Sequence, residues 1–319
     1  MDFQSNLASP GQFVTLYGTT PPRADAPEER IMRAATRLAE RIAPLPIDGL
    51  VVYDVQDEDG RTTVPRPFPY LPTTEPRAYS RRLHDLLAKP TITYKCIADM
   101  TEETWEPWLT EARQVYGVRY LSLVGLPTTR GRVSSLPLPQ AIKMAANHPD
   151  GFTLGGVAIA ERHGQEHSES ARMLRKAANG CDFFISQAVY ATAPTIGLLG
   201  DYARECAESG NAPRRVILTF APCGRPKTLD FIRWLGVAIS DETATAILND
   251  PAPLSRSIAI CRDHLRRILD QDYTRTLPLG LNIESVSIFK DEIDASIELC
   301  LTLHEVAREY GLLTGGAVT

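Results

Sequence analysis

The sequence is poor in the features that would place it quickly. Its six cysteines, Cys96, Cys181, Cys206, Cys223, Cys261 and Cys300, are scattered, and no two form a CxxC pair. Several lie in apolar runs, where a free cysteine behaves as a small hydrophobe. We therefore expect six reduced thiols in a cytoplasmic protein. No apolar run reaches the roughly 18 residues that span a membrane, and the first residues (MDFQSNLASPGQF) lack the charged-then-apolar order of a signal peptide. A membrane partner is not expected. There is no basic block: the formal net charge is −5 with both signs interspersed. That argues against a nucleic-acid partner, which would leave a basic stripe. No GxGxxG follows the first predicted strand, as it usually does in an open dinucleotide-binding sheet.

What is present is a repeating unit. Phe152–Tyr190 reads as an apolar run (FTLGGVAIA), a polar turn (ERHGQEHSES), an amphipathic run (ARMLRKAANG) and a second apolar run (CDFFISQAVY). This is one βαβ unit. It puts Glu161, Arg162 and His163 just past one strand, and Ser186 and Gln187 at the end of the next. Both groups then share the carboxyl end of neighbouring parallel strands, where α/β proteins build their sites.

The rest of the chain repeats the pattern. Strands are predicted at Phe13–Tyr17, Gly49–Asp54, Thr91–Ala98, Val118–Val124, Phe152–Ala160, Cys181–Gln187, Arg215–Phe220 and Leu279–Ser285. Helices are predicted at Glu28–Ile42, Ala78–Lys89, Thr101–Tyr116, Pro137–Asn147, Pro194–Ser209, Lys227–Leu235, Glu242–Leu248, Ser255–Asp270 and Asp291–Tyr310, besides the one in the central unit. Thr101, followed by Glu102 and Glu103, is a suitable helix start. Strands alternating with helices give a parallel sheet with helices outside. Eight units in one chain of 319 residues predict an α/β protein of the (β/α)8 TIM-barrel class. It is read as a single domain over residues 1–319, with residues 1–12 as a loose arm. An open doubly wound sheet with an appended domain is the structural alternative. Val64–Pro76 is proline-rich and long for a loop, a length that usually serves function.

In a barrel, the strand ends line the site. They are Tyr17/Gly18, Asp54, Lys95, the Gly125 turn, Glu161–His163, Gln187, Thr219/Phe220 and Glu284. Asp54 and Glu284 each end a strand and are the candidates for proton transfer. Their alternative role is a salt bridge in the rim. Gln187 ends a buried strand, and its amide must find partners: neighbouring backbone, or a flat heterocycle. Lys176 on its own reads as a solvated lysine or a helix C-terminal charge. Arg225-Pro226-Lys227 could hold a phosphate at a helix start. His163-Gly164-Gln165-Glu166-His167 has the letters of a zinc-peptidase motif, but in a turn and with a glycine inside. A metal-dependent barrel hydrolase is the alternative function it suggests.

The run Gly180–Gln187 (GCDFFISQ) resembles the "GADFIITQ" strand of methylenetetrahydrofolate reductases. Gly156–Ala160 is similar to their "GVAAYP" strand, and Pro21-Pro22-Arg23 to their "FFPPR". Cys96 with Thr101 resembles "HLTC…T", and Leu123-Val124-Gly125 sits where they have "LRGD". The resemblance runs through strands one to seven. It implies a (β/α)8 barrel, and a hydride passed from NAD(P)H, through FAD, to a folate-bound one-carbon unit. It implies that Gln187 contacts the pterin and that Lys176 and Glu169 contact the cofactor. Arg162, His163 and Lys95 are added as cofactor contacts, and Thr219 and Phe220 as substrate contacts, from their strand-end places. The family's proton-donating glutamate is replaced by Gly18, the aspartate of "RGD" by Leu126, its arginine by Val124, and the histidine of "HLTC" falls close to Thr93. A glycine transfers no proton, so Asp54 or Glu284 is expected to take over. Flavin-free members exist, and the lost contacts point towards that variant. A relative that binds folate or flavin without reducing it is a further alternative. A small-molecule, folate-like substrate is expected, and a homo-oligomer is neither required nor excluded.

Overall fold

The alternation of side chains along each strand decides what the fold can be. In the last strand, Gly280, Asn282 and Glu284 alternate with Leu279, Leu281 and Ile283. Successive strand residues point to opposite faces, so one face is apolar and the other polar towards its end. The computed structural model describes residues 2–58, 62–125, 135–164 and 168–313. Its eight strands form one closed parallel barrel in sequence order, the last pairing with the first.

The elements run α1 (Phe3–Ala8), β1 (Val14–Thr19), α2 (Glu28–Ile42), β2 (Gly49–Val52), α3 (Pro76–Leu87), β3 (Thr91–Cys96), α4 (Glu102–Gln114) and β4 (Tyr120–Val124). They continue with α5 (Leu138–Ala146), β5 (Thr153–Ala158), α6 (Glu169–Ala178), β6 (Cys181–Ala188), α7 (Thr192–Ser209) and β7 (Arg215–Phe220). The chain closes with α8 (Pro226–Trp234), α9 (Asp241–Leu248), α10 (Pro253–Leu269), β8 (Leu279–Glu284) and α11 (Lys290–Glu309). The predicted barrel is therefore the observed one. Helix α4 begins at the expected place: Thr101 and Thr104 each accept the other's backbone N–H, a reciprocal cap.

Two cores follow from the alternation. The outer one lies between sheet and helices and takes Leu50, Val52, Leu121, Phe184, Leu218, Phe220 and Ile283. The inner one fills the barrel with Val14, Leu16, Val51, Ile92, Phe183, Ile185 and Ile217. Burial of such a side chain contributes about 1.5–3 kcal/mol. Phe183 fits only because Gly155 faces it: a Cβ at 155 would lie 2.3 Å from the ring.

The first residues are not a loose arm. Asp2 caps α1 by accepting from Ser5 N–H, and Phe3 and Leu7 enter the inner core from the amino-terminal end. Arg215, itself buried, donates to the carbonyls of Leu7, Asn6 and Ser9 and to that of Leu279. Burial lowers its pKa to about 10. The reading as a mobile arm missed this clasp because six residues with two apolar side chains carry little periodicity. All six cysteines are buried and free. Among the described residues, no helix is long and apolar enough to cross a membrane.

Candidate functional site at the carboxyl face of the barrel

The strand ends enclose a cavity of about 860 Å³, within the range of small-molecule sites. Its floor is built by inward residues of β7 and β8, with Tyr53 and Tyr94 beside them. Asn282 is fully buried and donates to the Tyr53 hydroxyl at 2.8 Å and to Thr219 Oγ1 at 3.2 Å. Its own Oδ1 has no hydrogen-bond partner among the described residues. The Glu284 carboxyl faces the cavity beside Tyr53, and burial raises its pKa from 4.5 to about 7, with Tyr53 opposing. A carboxyl poised there can give or take a proton near neutrality.

Gln187 lines the wall. The register of β6 against β7 slips between Ile185 and Ala188, and Ser186 Oγ steps in to accept Thr219 N–H at 2.9 Å. Such irregularities re-aim side chains beside sites. The Gln187 amide lines the cavity and donates to Leu235 O at 3.1 Å, the backbone tie of the two readings.

The cavity extends over the ends of β4 and β5 into an arm between α5 and α6. Leu138 and Ile142 form its apolar side; Arg172, Arg175 and Lys176 line the other. Those three share one helix face by their spacing. Lys176 Nζ donates to Val157 O at 2.5 Å and lies 3.8 Å from Glu169 Oε1. Burial lowers the Lys176 pKa, with Glu169 opposing. Glu169 is almost wholly buried and accepts from Ile159 N–H at 3.3 Å. Its Oε2 has no hydrogen-bond partner among the described residues, although Arg172 is 3.7 Å away. An anion on the cationic face and a donor towards that oxygen would complete the arm, so these residues fit an anionic ligand group. Arg162 also lines the cavity.

The proline-rich loop forms part of the roof. Trp234 Nε1 donates to Val64 O at 3.0 Å. Arg66 lies over the rings of Tyr70, Phe231 and Trp234, 5.1–5.5 Å from their centroids.

Several strand-end residues sit elsewhere than expected. Phe220 is the outward partner of Thr219 and is buried against the helices, so it does not reach the cavity. Lys95 also points outward; its ammonium lies 5.5 Å from the Trp108 ring and 3.9 Å from Asp54. His163 bonds Asp201 of α7 at 3.0 Å and is not among the lining residues. Asp54 does line the cavity, but its oxygens are taken by Cys96 N–H at 2.8 Å and the Gln56 amide at 2.7 Å. With Lys95 3.9 Å away, Asp54 has the ion pair of its rim reading, whereas Glu284 faces the cavity at the end of β8. Arg225 of the suggested phosphate loop pairs with Asp291 at 2.7 Å. His167 of the zinc-like motif, Leu126 and Asp59 lie outside the described residues. Among the described residues, no group of three or more His, Cys, Asp or Glu is arranged to hold a metal.

Sequence reasoning missed Tyr53, Tyr94 and Asn282. Asn282 was visible as a polar residue in step with Gly280 and Glu284 in an apolar strand. Tyr53 was visible as the next inward position after Val51.

Fold and cavity together define a (β/α)8 barrel with a small-molecule site at its carboxyl face. No protein-family profile and no curated protein matches the chain. Among solved structures, an uncharacterized protein from Clostridium thermocellum that binds two copies of 5-methyl-5,6,7,8-tetrahydrofolic acid is 31% identical, with a TM-score of 0.79. The match covers 92% of this chain and 96% of that one. The chain belongs to the family of that protein. Dihydropteroate synthase of Xanthomonas albilineans matches at 14% identity and a TM-score of 0.46, over 92% of this chain and 93% of the other. A 2,3-dimethylmalate lyase matches at 13% and 0.45, over 96% and 97%.

Proposed function

We propose that the cavity binds a reduced folate and that the protein is an oxidoreductase acting on the folate's one-carbon unit, in the manner of a methylenetetrahydrofolate reductase. The observation that carries this reading is Glu284, a carboxyl with a pKa of about 7 on a cavity floor whose family relative binds 5-methyltetrahydrofolate. Kinship with the reductases rests on the Gly180–Gln187 strand. The pterin lies against the floor, with Gln187 and Thr219 offering hydrogen bonds to its edge. Glu284 supplies the proton that the glycine at position 18 cannot. The arm, with Lys176, Glu169, Arg162, Arg172 and Arg175, would hold NAD(P)H, or a flavin that NAD(P)H has reduced, and that group would supply the hydride. Barrel walls and the Arg66 roof fix the bound partners, which displace water from the cavity, so catalysis is by positioning.

A second reading keeps the folate and drops the reduction. Gly18 favours it, because the residue that carries the proton in the reductases is absent.

Calorimetry with 5-methyltetrahydrofolate, followed by NADH and NADPH oxidation with a methylene-bearing folate, tests both. The expected result is binding, and turnover that falls about 10²–10⁴-fold in Glu284→Gln while affinity is kept. Binding without turnover selects the second reading. A protein that takes up no folate refutes both.

A further inference from the structure

The proline-rich roof is pinned along its length. Trp234 Nε1 ties its first residues through Val64 O at 3.0 Å. At its far end, Ala24 N–H donates to Pro72 O at 2.9 Å and Thr74 N–H to Pro22 O at 2.7 Å. Between them the Phe68 ring stands edge-on to Phe231, with centroids 5.3 Å apart and an interplanar angle of 89°. Arg66 sits in this frame, its guanidinium 5.5 Å from the Tyr70 ring, 5.4 Å from Phe231 and 5.1 Å from Trp234. The ring faces attract the cation but offer its N–H groups no oxygen. Nη1 donates to Gln56 O at 3.1 Å, while Nε is buried and has no hydrogen-bond partner among the described residues. A donor left in that state is costly until an acceptor arrives.

The groups along this side of the cavity follow a definite order. Glu284 and Thr219 lie at the floor. Gln187 comes next, its amide tied to Leu235 O at 3.1 Å. Leu235 ends α8, and Phe231, Ile232, Leu235 and Val237 give the cavity an apolar stretch. Phe231 is one helical turn back from Leu235, about 6 Å along the axis. Arg66, over the Phe231 ring, also lines the cavity. Polar contacts for a heterocycle, an apolar stretch and a cation thus succeed one another. A reduced folate has the same order: a pterin, an aminobenzoyl ring, and a glutamate with two carboxylates.

We propose that Arg66 binds the glutamate tail of the folate: its planar fork, held by three rings, takes a carboxylate of the tail, so the roof selects folates over pterins that lack one. The proposal rests on the reading of the cavity as a folate site. A guanidinium meets a carboxylate with two parallel hydrogen bonds. The rings hold the side chain in place before the ligand arrives, which lowers the cost of ordering it. The cations of the arm lie elsewhere, over the ends of β4 and β5, and are the rival station for the tail.

The test is calorimetry with two ligands: 5-methyltetrahydrofolate, and its diamide, in which both glutamate carboxylates are capped as neutral amides. Wild type is expected to bind the acid about tenfold more tightly than the diamide, the value of a hydrogen bond between charged groups. In Arg66→Gln the acid falls to the affinity of the diamide, while the diamide binds as it does to wild type. Arg66→Lys keeps a cation on the rings without the fork, and retains part of the preference. A preference that survives intact in Arg66→Gln overturns the proposal and moves the tail to the arm. A loss that both ligands share equally in both variants overturns it too, since the arginine is then scaffold alone. The folate reading is judged separately. A wild-type protein that binds neither molecule ends that reading and this proposal with it, whereas one that binds both equally well removes only the tail contact.

Discussion

Replacing Glu284 by glutamine should make the ligand-free protein more stable at pH 8 and leave it nearly unchanged at pH 4. In the folded protein burial raises this carboxyl from 4.5 to about 7. Below pH 4.5 it is protonated in both states and has no pH-linked effect. As pH rises from 4.5, the unfolded chain releases the proton while the folded one retains it, so stability falls with pH. The loss levels off above pH 7, where both states are ionised. At 1.36 kcal/mol per unit, the full difference is about 3 kcal/mol. The carboxyl borders a cavity that admits water, so about 1–3 kcal/mol is the expected range. Glutamine keeps the size of the side chain and does not ionise. The assay is urea unfolding of wild type and Glu284→Gln at matched pH values from 4 to 8.5. The difference should be near zero at pH 4, below about 1 kcal/mol at pH 5, and constant above pH 7.5. A glutamine variant less stable than wild type by the same amount at every pH would refute the reasoning, because it would mean that the carboxyl ionises as freely in the fold as outside it.

Other perturbations separate site from scaffold. Gln187→Ala removes an amide from the cavity wall, and calorimetry should show 5-methyltetrahydrofolate affinity reduced by about tenfold; unchanged affinity and turnover would remove Gln187 from the pterin site. Arg215→Met removes the donor that the guanidinium offers to four carbonyls, and should cost about 3–5 kcal/mol in urea unfolding. Gly155→Ala forces a methyl to within 2.3 Å of Phe183 and should cost about 1–3 kcal/mol by overpacking, visible as a lowered thermal midpoint.

The barrel was legible because hydrophobic runs of strand length recur with helical stretches between them. Helix Glu28–Ile42 and strand Arg215–Phe220 have the boundaries read from the sequence. Glu284 was legible too, as an acid ending an apolar strand. What failed was direction. Phe220 and Lys95 were placed in the site because they end strands, yet each is one residue out of step with an inward neighbour, Thr219 and Tyr94. His163 lies close to the cavity in sequence, but the short helical turn Ala160–Arg162 carries it to Asp201 on the outside. Tyr53 was legible as the inward step after Val51, but its contacts with β1, β3 and β8 leave no local pattern. The arm between α5 and α6 was half seen, through Lys176 and Glu169, because resemblance supplied those two and nothing supplied Arg172 and Arg175.

The clasp between α1 and Arg215 also bears on how the chain is made. Leu7 and the guanidinium that holds its carbonyl are 208 residues apart. During synthesis α1 leaves the ribosome long before the seventh strand, and until that strand follows it lacks the guanidinium that holds its carbonyls. Six residues are too few to stay helical alone, so Phe3 and Leu7 spend most of synthesis exposed to water. Sealing the barrel's lower mouth is therefore among the last folding events. A nascent chain stalled before residue 215 offers two apolar side chains and an unsealed sheet to any chaperone within reach.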